Sequence, residues 1–263
     1  MTISRSRRVN PDLIAFAHRL ADASGPVVMR YFRKNLPVEV KSDSTPVTLA
    51  DREAESVIRQ LIYDHHPDHG VVGEEHAAVQ PDAEFVWVID PIDGTKSFIT
   101  GRPLFGTLIA LMWEGEPVLG IVDHPALGDR WIGAIGHPTT MNGNTVRVRS
   151  CSDLGEATLL ASSPHYYLGE SLERFERVRQ RCQYVVYGSE CLEYGLLASG
   201  FVDIVTEAQL EPFDYLAAVP VIEGAGGVIT DWQGRRLGLT SGDKILAVGD
   251  AGVHEKILSI LST

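Results

Sequence analysis

The apolar positions of this chain keep helical spacing at first, then pass to strand spacing, and finally alternate between the two. Between residues 11 and 33, Leu13, Ala17, Leu20, Val27, Val28 and Tyr31 form a helical stripe, interrupted at Gly25-Pro26. Thr48-x-x-Asp51 predicts a helix start, which Ala54, Val57, Ile58, Leu61 and Ile62 continue on one face. The period then shortens. Val71-Val72 and the run 85–89 predict buried strands, followed by strands over 107–112, 118–122 and 130–134.

The second half alternates. Strands are predicted over 157–161, 184–187, 202–206, 228–230 and 245–248. Helices are predicted over 171–181, 192–199 (ended by Gly200) and 213–225, and again at the C-terminus. A strand-rich middle flanked by helices predicts an α/β fold of stacked layers. No repeat, low-complexity tract or linker divides the chain, so residues 1–263 are expected to form one unit. Its approximate subregions are 1–150 and 151–263.

Composition narrows the class. With 44% hydrophobic and 22% charged residues, the chain suits an ordinary water-soluble protein. No run approaches the roughly 20 apolar residues that span a bilayer, so no membrane partner is expected. Met1 to Asn10 carries Arg5, Arg7 and Arg8 but leads into no apolar signal core, and is expected to be a frayed arm. Cys151, Cys182 and Cys191 have no metal-ligand spacing, and reduced thiols point to the cytoplasm. A net charge of −12 argues against nucleic acid as a partner. An acidic protein that handles phosphate needs bound cations to reverse its local field.

The candidate chemistry lies in Asp51, Glu74, the run Asp90-Pro91-Ile92-Asp93-Gly94-Thr95, and Asp214. Asp90 is expected where the apolar strand ends, with Pro91 setting a turn and Asp93-Gly94-Thr95 opening a short helix. Asp90, Asp93 and the Ile92 carbonyl then offer oxygen ligands suited to a hard cation such as magnesium. Backbone N–H groups of Gly94 and Thr95 suit a phosphate oxygen. The plain alternative is a turn with Asp93 as a helix cap. A further acidic pair, Glu74-Glu75 after Gly73, favours metal, because carboxylates crowded without a cation repel one another.

These pieces resemble the inositol monophosphatase-like family of lithium-sensitive, magnesium-dependent phosphatases, across nearly the whole chain. The matching motifs are Val47-Thr48-x-x-Asp51, Gly73-Glu74-Glu75, Asp90-Pro-Ile-Asp-Gly-Thr95, and Phe213-Asp214 followed by Glu223-Gly-Ala-Gly-Gly227. The family usually has Trp at the position of Phe213. The resemblance implies a layered α-β-α-β-α sandwich and a homodimer. It implies two or three magnesium ions per site, with manganese as an alternative, on Glu74, Asp90, the Ile92 carbonyl, Asp93 and Asp214. It also implies in-line attack by water that Thr95 and Asp51 orient and deprotonate, with Glu74 and Asp90 holding the activating metal. The phosphoryl group would rest on Gly94 and Thr95.

Substrate choice falls to other positions. The resemblance puts the leaving alcohol near Gly188-Ser189-Glu190 and Glu207, with Asp93 and Asp214 completing the set. Glu190 stands where inositol enzymes usually carry a small neutral residue, and a carboxylate there suits a cationic leaving group. The runs 94–106, 130–133 and 214–224 resemble the histidinol-phosphatase branch, which more often has Asp at 190 and a basic residue near Glu211. Histidinol phosphate is therefore the expected small-molecule phosphate ester. Inositol monophosphate, a related polyol or nucleotide phosphate, and a catalytically silent interaction protein are the rival expectations.

Some signals point elsewhere. Asp64-His65-His66 matches another phosphoesterase signature but lies at a predicted helix end before Pro67. His65, His66, His69 and His76 are expected to be a solvated surface run rather than a zinc site. Gly224-x-Gly226-Gly227 follows a helix and precedes a strand, which suits a cap rather than a dinucleotide fingerprint. Lys96 and Arg102 fit either phosphate binding or the surface.

Overall fold

In the computed structural model of the chain, the described residues are 8–34, 37–40 and 46–262. The first half runs α1 (Pro11–Tyr31), β1 (Glu39–Val40), β2 (Pro46–Val47), α2 (Leu49–His65), β3 (Gly70–Gly73), β4 (Phe85–Asp93) and α3 (Thr95–Ile99). There follow β5 (Gly106–Trp113), β6 (Glu116–His124), β7 (Asp129–Ala134), β8 (His137–Met141) and β9 (Asn144–Thr145). The second half runs β10 (Thr158–Ala161), α4 (Glu170–Arg179), β11 (Tyr184–Tyr187), α5 (Leu192–Ala198), β12 (Ile204–Glu207) and α6 (Pro212–Tyr215). It closes with α7 (Ala218–Gly224), β13 (Val228–Asp231), β14 (Ile245–Val248) and α8 (Ala251–Leu261).

Two sheets organise these elements. A seven-stranded sheet has the order β3-β4-β5-β6-β7-β8-β9, and a five-stranded sheet the order β11-β10-β12-β14-β13. The period-2 alternation of strands explains the layers. On β4, Trp87 and Ile89 face Phe16 and Leu20 of α1 and Ile58 and Ile62 of α2. Val86 and Val88 face the other way, into a core shared with Tyr194 and Leu197 of α5, Val221 and Ile222 of α7, and Val205 and Ile245 of the second sheet. The outer face of that sheet, Leu159, Ile204 and Leu246, is covered by Phe175 of α4 and Ile257 of α8. The result is an α-β-α-β-α sandwich.

Three local expectations change. α1 runs unbroken through Pro26, because Pro26 lies on the exposed side, where water can satisfy the freed carbonyl of the preceding turn. The expected helix over 213–225 divides into α6 and α7. The expected frayed arm keeps only residues 1–7 outside the described residues. Val9 is buried and its N–H donates to the Ile135 carbonyl at 3.0 Å, while Asn10 caps α1 by accepting from Asp12 N–H at 2.9 Å.

The fourth change shapes the site. β4 does not end at Ile89 but continues to Asp93 through a register shift. Asp90 pairs with Leu108 and Asp93 with Gly106, so three steps along β4 match two along β5. Such a bulge re-aims side chains. Pro91 has no N–H to lose from the ladder, and its carbonyl accepts the Thr107 hydroxyl at 2.8 Å. Residues three apart on a regular strand would face opposite ways; the bulge turns Asp90 and Asp93 toward one cleft.

Candidate active site

Parallel pairing sets Gly73 of β3 beside Ile89 of β4, and Glu74 N–H donates to the Ile89 carbonyl at 3.2 Å. Glu74 thereby leaves its strand next to Asp90, close enough for their carboxyl groups to hydrogen-bond. Behind them α2 presents a buried acidic stripe, Asp51 and Glu55 one turn apart. Glu55 accepts from Glu75 N–H (2.8 Å), His76 N–H (3.3 Å) and Arg59 Nε (2.6 Å), tying down the chain just after Glu74. A β-carbon on Gly73 would stand 2.1 Å from Glu55 Oε1, so any side chain there would displace the Glu55 carboxylate.

Asp51 closes the capping box that the sequence predicts. Its Oδ2 accepts from the Thr48 N–H (2.8 Å) and hydroxyl (2.6 Å), while its buried Oδ1 has no donor. Burial raises the proton affinity of this carboxyl, the bonds from Thr48 oppose the rise, and nearby Glu74 adds to it.

α6 brings the last acid. Pro212 opens the helix, and Asp214 Oδ2 accepts from Glu211 N–H at 2.8 Å. Carboxylate oxygens of Asp90, Asp93 and Asp214 all lie within 4.8 Å of one another. Among the described residues no Lys or Arg forms an ion pair with any of the three. Their electrostatics reflect that. Burial, then the charges of Glu74, Asp93 and Asp214, pushes Asp90 far above the ordinary carboxylate range. Asp93 rises to about 7 through burial and the charge of Glu190, although the Cys191 N–H bond at 2.8 Å opposes the rise. Asp214 is pushed well up by burial and by Asp93. An all-oxygen group that repels itself and has no cationic partner fits a hard divalent cation.

The opposite wall begins at Gly94, whose φ of +79° lies in the left-handed region and leads into α3. Thr95 Oγ1 donates to the Ile92 carbonyl at 3.1 Å rather than to Asp51. Ser97 Oγ donates to Glu190 Oε1 at 2.8 Å, which fixes the Glu190 carboxylate over the start of α3. Arg102 braces the loop before Glu190 by donating to the Gly188 carbonyl at 2.8 Å, and Lys96 Nζ reaches the Tyr166 hydroxyl at 3.2 Å.

A cleft of ≈ 280 Å³ unites most of the expected site. Glu74, Asp90, Ile92, Asp93, Gly94, Thr95, Glu190 and Asp214 all line it. Asp51, Gly188, Ser189 and Glu207 do not: Asp51 and Glu207 are fully buried, and Ser189 lies in the braced loop. Glu207 instead accepts the Ser162 N–H behind the wall. Ser162, Tyr166 and Gln209 also line the cleft and Glu55 supports it from behind, none of them expected from the sequence. Glu55 had a signal, four residues after Asp51 on the same buried helix face. Ser162, Tyr166 and Gln209 had none, because the second sheet supplies them.

The histidines turn out differently from a solvated run. His66 stacks on His69 at 4.5 Å, and His69 on Phe85 at 4.9 Å. Trp87 Nε1 donates to His69 Nδ1 at 3.1 Å, and burial lowers the His69 pKa to about 4. Both rings complete an aromatic wall beside Phe16 and Trp87. His65 and His76 are exposed, as expected.

Residues 10–263 match the inositol monophosphatase family. A bifunctional phosphatase IMPL2, chloroplastic, of Arabidopsis thaliana is 46% identical over 256 residues, which span 94% of this chain and 74% of the relative. A histidinol-phosphatase of Chlorobaculum parvum is 36% identical over 254 residues, spanning 96% of this chain and 97% of the relative. A solved structure described as an inositol monophosphatase from Zymomonas mobilis superposes with a TM-score of 0.90 at 42% identity, covering 98% of this chain and 100% of that one. These matches run through both sheets and every acidic element of the cleft, and they make this chain a phosphatase of the inositol monophosphatase family.

Proposed function

We propose that this phosphatase hydrolyses histidinol phosphate to histidinol and phosphate with magnesium as its cofactor. The observation that carries the reading is the Glu190 carboxylate, held by Ser97 at the edge of the cleft, directly beside Gly94. An anion there suits an alcohol bearing an ammonium or a protonated imidazole. The histidinol-phosphatase likeness at 36% identity supports it.

Glu74, Asp90, the Ile92 carbonyl, Asp93 and Asp214 would hold the cations, with manganese as the alternative. When bound, the cations polarise the phosphoryl group and lower the pKa of water. The protein's own groups do the rest. Amides of Gly94 and Thr95, at a helix start whose first N–H groups lack partners within the helix, receive phosphoryl oxygens. Glu74, which lines the cleft, would hold the attacking water, and Asp51 Oδ1, buried behind it and without a donor, would take up the proton that this water loses. Thr95 Oγ1, anchored on the Ile92 carbonyl, fixes the position of that water. Water adds to phosphorus in line as the ester P–O bond breaks, and the leaving oxygen departs past Glu190 as an alkoxide that takes a proton from solvent water.

A second reading, hydrolysis of inositol monophosphate or a related polyol phosphate, is favoured by the likeness to the Zymomonas mobilis enzyme. We also read the chain as a cytoplasmic homodimer acting as one unit. Three free cysteines support the compartment, and the end strand β11, with Tyr184 and Val186 exposed, supports a dimer surface. No helix among the described residues is long and apolar enough to cross a membrane. Phosphate release from histidinol phosphate with magnesium, abolished by EDTA, tests the proposal; absence of release from a magnesium-stabilised enzyme refutes it.

A further inference from the structure

Behind Glu190, two buried carboxyl groups face each other with no visible means of support. Glu193 lies in the first turn of α5 and is 1% exposed; Glu207 ends β12 and is 0% exposed. Neither Glu193 oxygen nor Glu207 Oε2 receives a hydrogen bond from any N–H or O–H of the described residues. Glu207 Oε1 alone is satisfied, by the Ser162 N–H. Yet α5 packs on β12, which brings the two carboxyls together, and each bears on the proton affinity of the other. Two ionised carboxylates accept only, and in a dry interior they would repel.

One proton resolves the conflict. We propose that Glu193 is a neutral carboxylic acid that donates its O–H to Glu207, and that this pair is the positioning device for the leaving-group wall of the cleft. The proton belongs on Glu193 because Glu207 is the partner that already accepts from a backbone N–H, which favours its charged form. The groups acting on the pair point the same way. Glu207, Asp93 of β4 and Glu190 are the anions facing Glu193. Tyr194 of α5 and Tyr167 also adjoin the pair, and Tyr167 spends its hydroxyl on the Thr206 carbonyl at 2.6 Å. Burial first, then Glu207 itself, presses Glu193 far above the ordinary range, whereas Glu207 rises to about 7.

The consequence is a fixed charge at this end of the cleft. A charged Glu193, one turn along from Glu190, would push on both Glu190 and Glu207. As an acid it instead ties α5 to β12 and holds Glu207 and the Ser162 backbone in place. The functional half of this inference rests on reading Glu190 as the leaving-group contact; the shared proton does not.

Infrared spectra of the magnesium-loaded enzyme at neutral pH test the proton directly. Wild type minus Glu193→Gln should show the carbonyl stretch of a buried carboxylic acid, with any remaining acids cancelling in the difference. If that band is absent, the proposal is overturned whatever the substrate. Kinetics with histidinol phosphate test the positioning role. Glu193→Gln still donates to Glu207 and should keep KM within twofold, roughly, while Glu193→Ala should raise KM about tenfold at nearly unchanged kcat. A band present with Glu193→Ala indistinguishable from wild type leaves the proton but overturns the positioning role. Equal damage from Gln and Ala overturns it too. Failure of histidinol phosphate as a substrate in wild type would strike the proposed function alone.

Discussion

Gly94 and Glu190 are fitted together so closely that a β-carbon on Gly94 would stand 2.8 Å from Glu190 Cγ. The missing side chain thus joins the phosphate end of the cleft to its leaving-group end. Gly94→Ala meets two obstacles, the crowding with Glu190 and a φ of +79° that costs an L-residue about 1 kcal/mol or more. We expect a folded protein whose kcat/KM falls at least about tenfold. Kinetics beside a thermal melt check this, and near-normal turnover would mean that Glu190 yields freely.

Glu55 supports the loop rather than the reaction. It is 0% exposed and shares its carboxylate between Arg59 and two backbone N–H groups. Glu55→Ala leaves those donors and the Arg59 guanidinium without their acceptor, and should cost about 3 kcal/mol of stability. Urea denaturation measures it. Magnesium affinity should weaken with it, because Glu74 sits in the loop that Glu55 secures.

The metal-free protein should lose stability as pH rises. Asp90, Asp93 and Asp214 hold protons more tightly folded than unfolded. Their contribution is complete below the unfolded aspartate pKa of about 4 and is lost through the folded values, beginning near 7 for Asp93. Melting temperature without metal should therefore fall between those limits as far as these groups govern it. Magnesium needs the ionised acids, so its stabilising effect should be larger at pH 8 than at pH 5. Calorimetry with and without magnesium measures both.

Asp90→Asn separates chemistry from folding. Asp90 is 2% exposed beside Glu74, Asp93 and Asp214, and the substitution puts a permanently uncharged group there at nearly constant shape. Melting without metal should hold or rise at pH 8. The magnesium-induced shift should collapse, and turnover should fall at least about a hundredfold.

The layers and the acidic set were legible in the sequence because both depend on local pattern. The unbroken apolar run 85–89 marked a buried strand, and in the fold Trp87 and Ile89 meet one helix layer while Val86 and Val88 face the other way. Thr48-x-x-Asp51 announced its capping box through spacing alone. The bulge at Pro91 was not legible, because it is written in the register against Leu108 and Gly106 rather than in β4 itself. Glu207 was expected at the leaving group; it is fully buried, and Ser162, whose N–H it accepts, is the residue that lines the cleft. The stacking of His66 on His69 depends on Phe85 and Trp87, a strand away from both.

The central claim is that Glu190 selects a cationic leaving group on a magnesium-dependent phosphatase. Its most direct test is the ratio of kcat/KM for histidinol phosphate to that for inositol monophosphate, in wild type and in Glu190→Gln. Gln keeps an acceptor for the Ser97 hydroxyl and removes the charge. The account predicts a ratio well above one in wild type that falls about tenfold in Glu190→Gln, chiefly through KM for histidinol phosphate. A ratio that does not change between the two enzymes would contradict it.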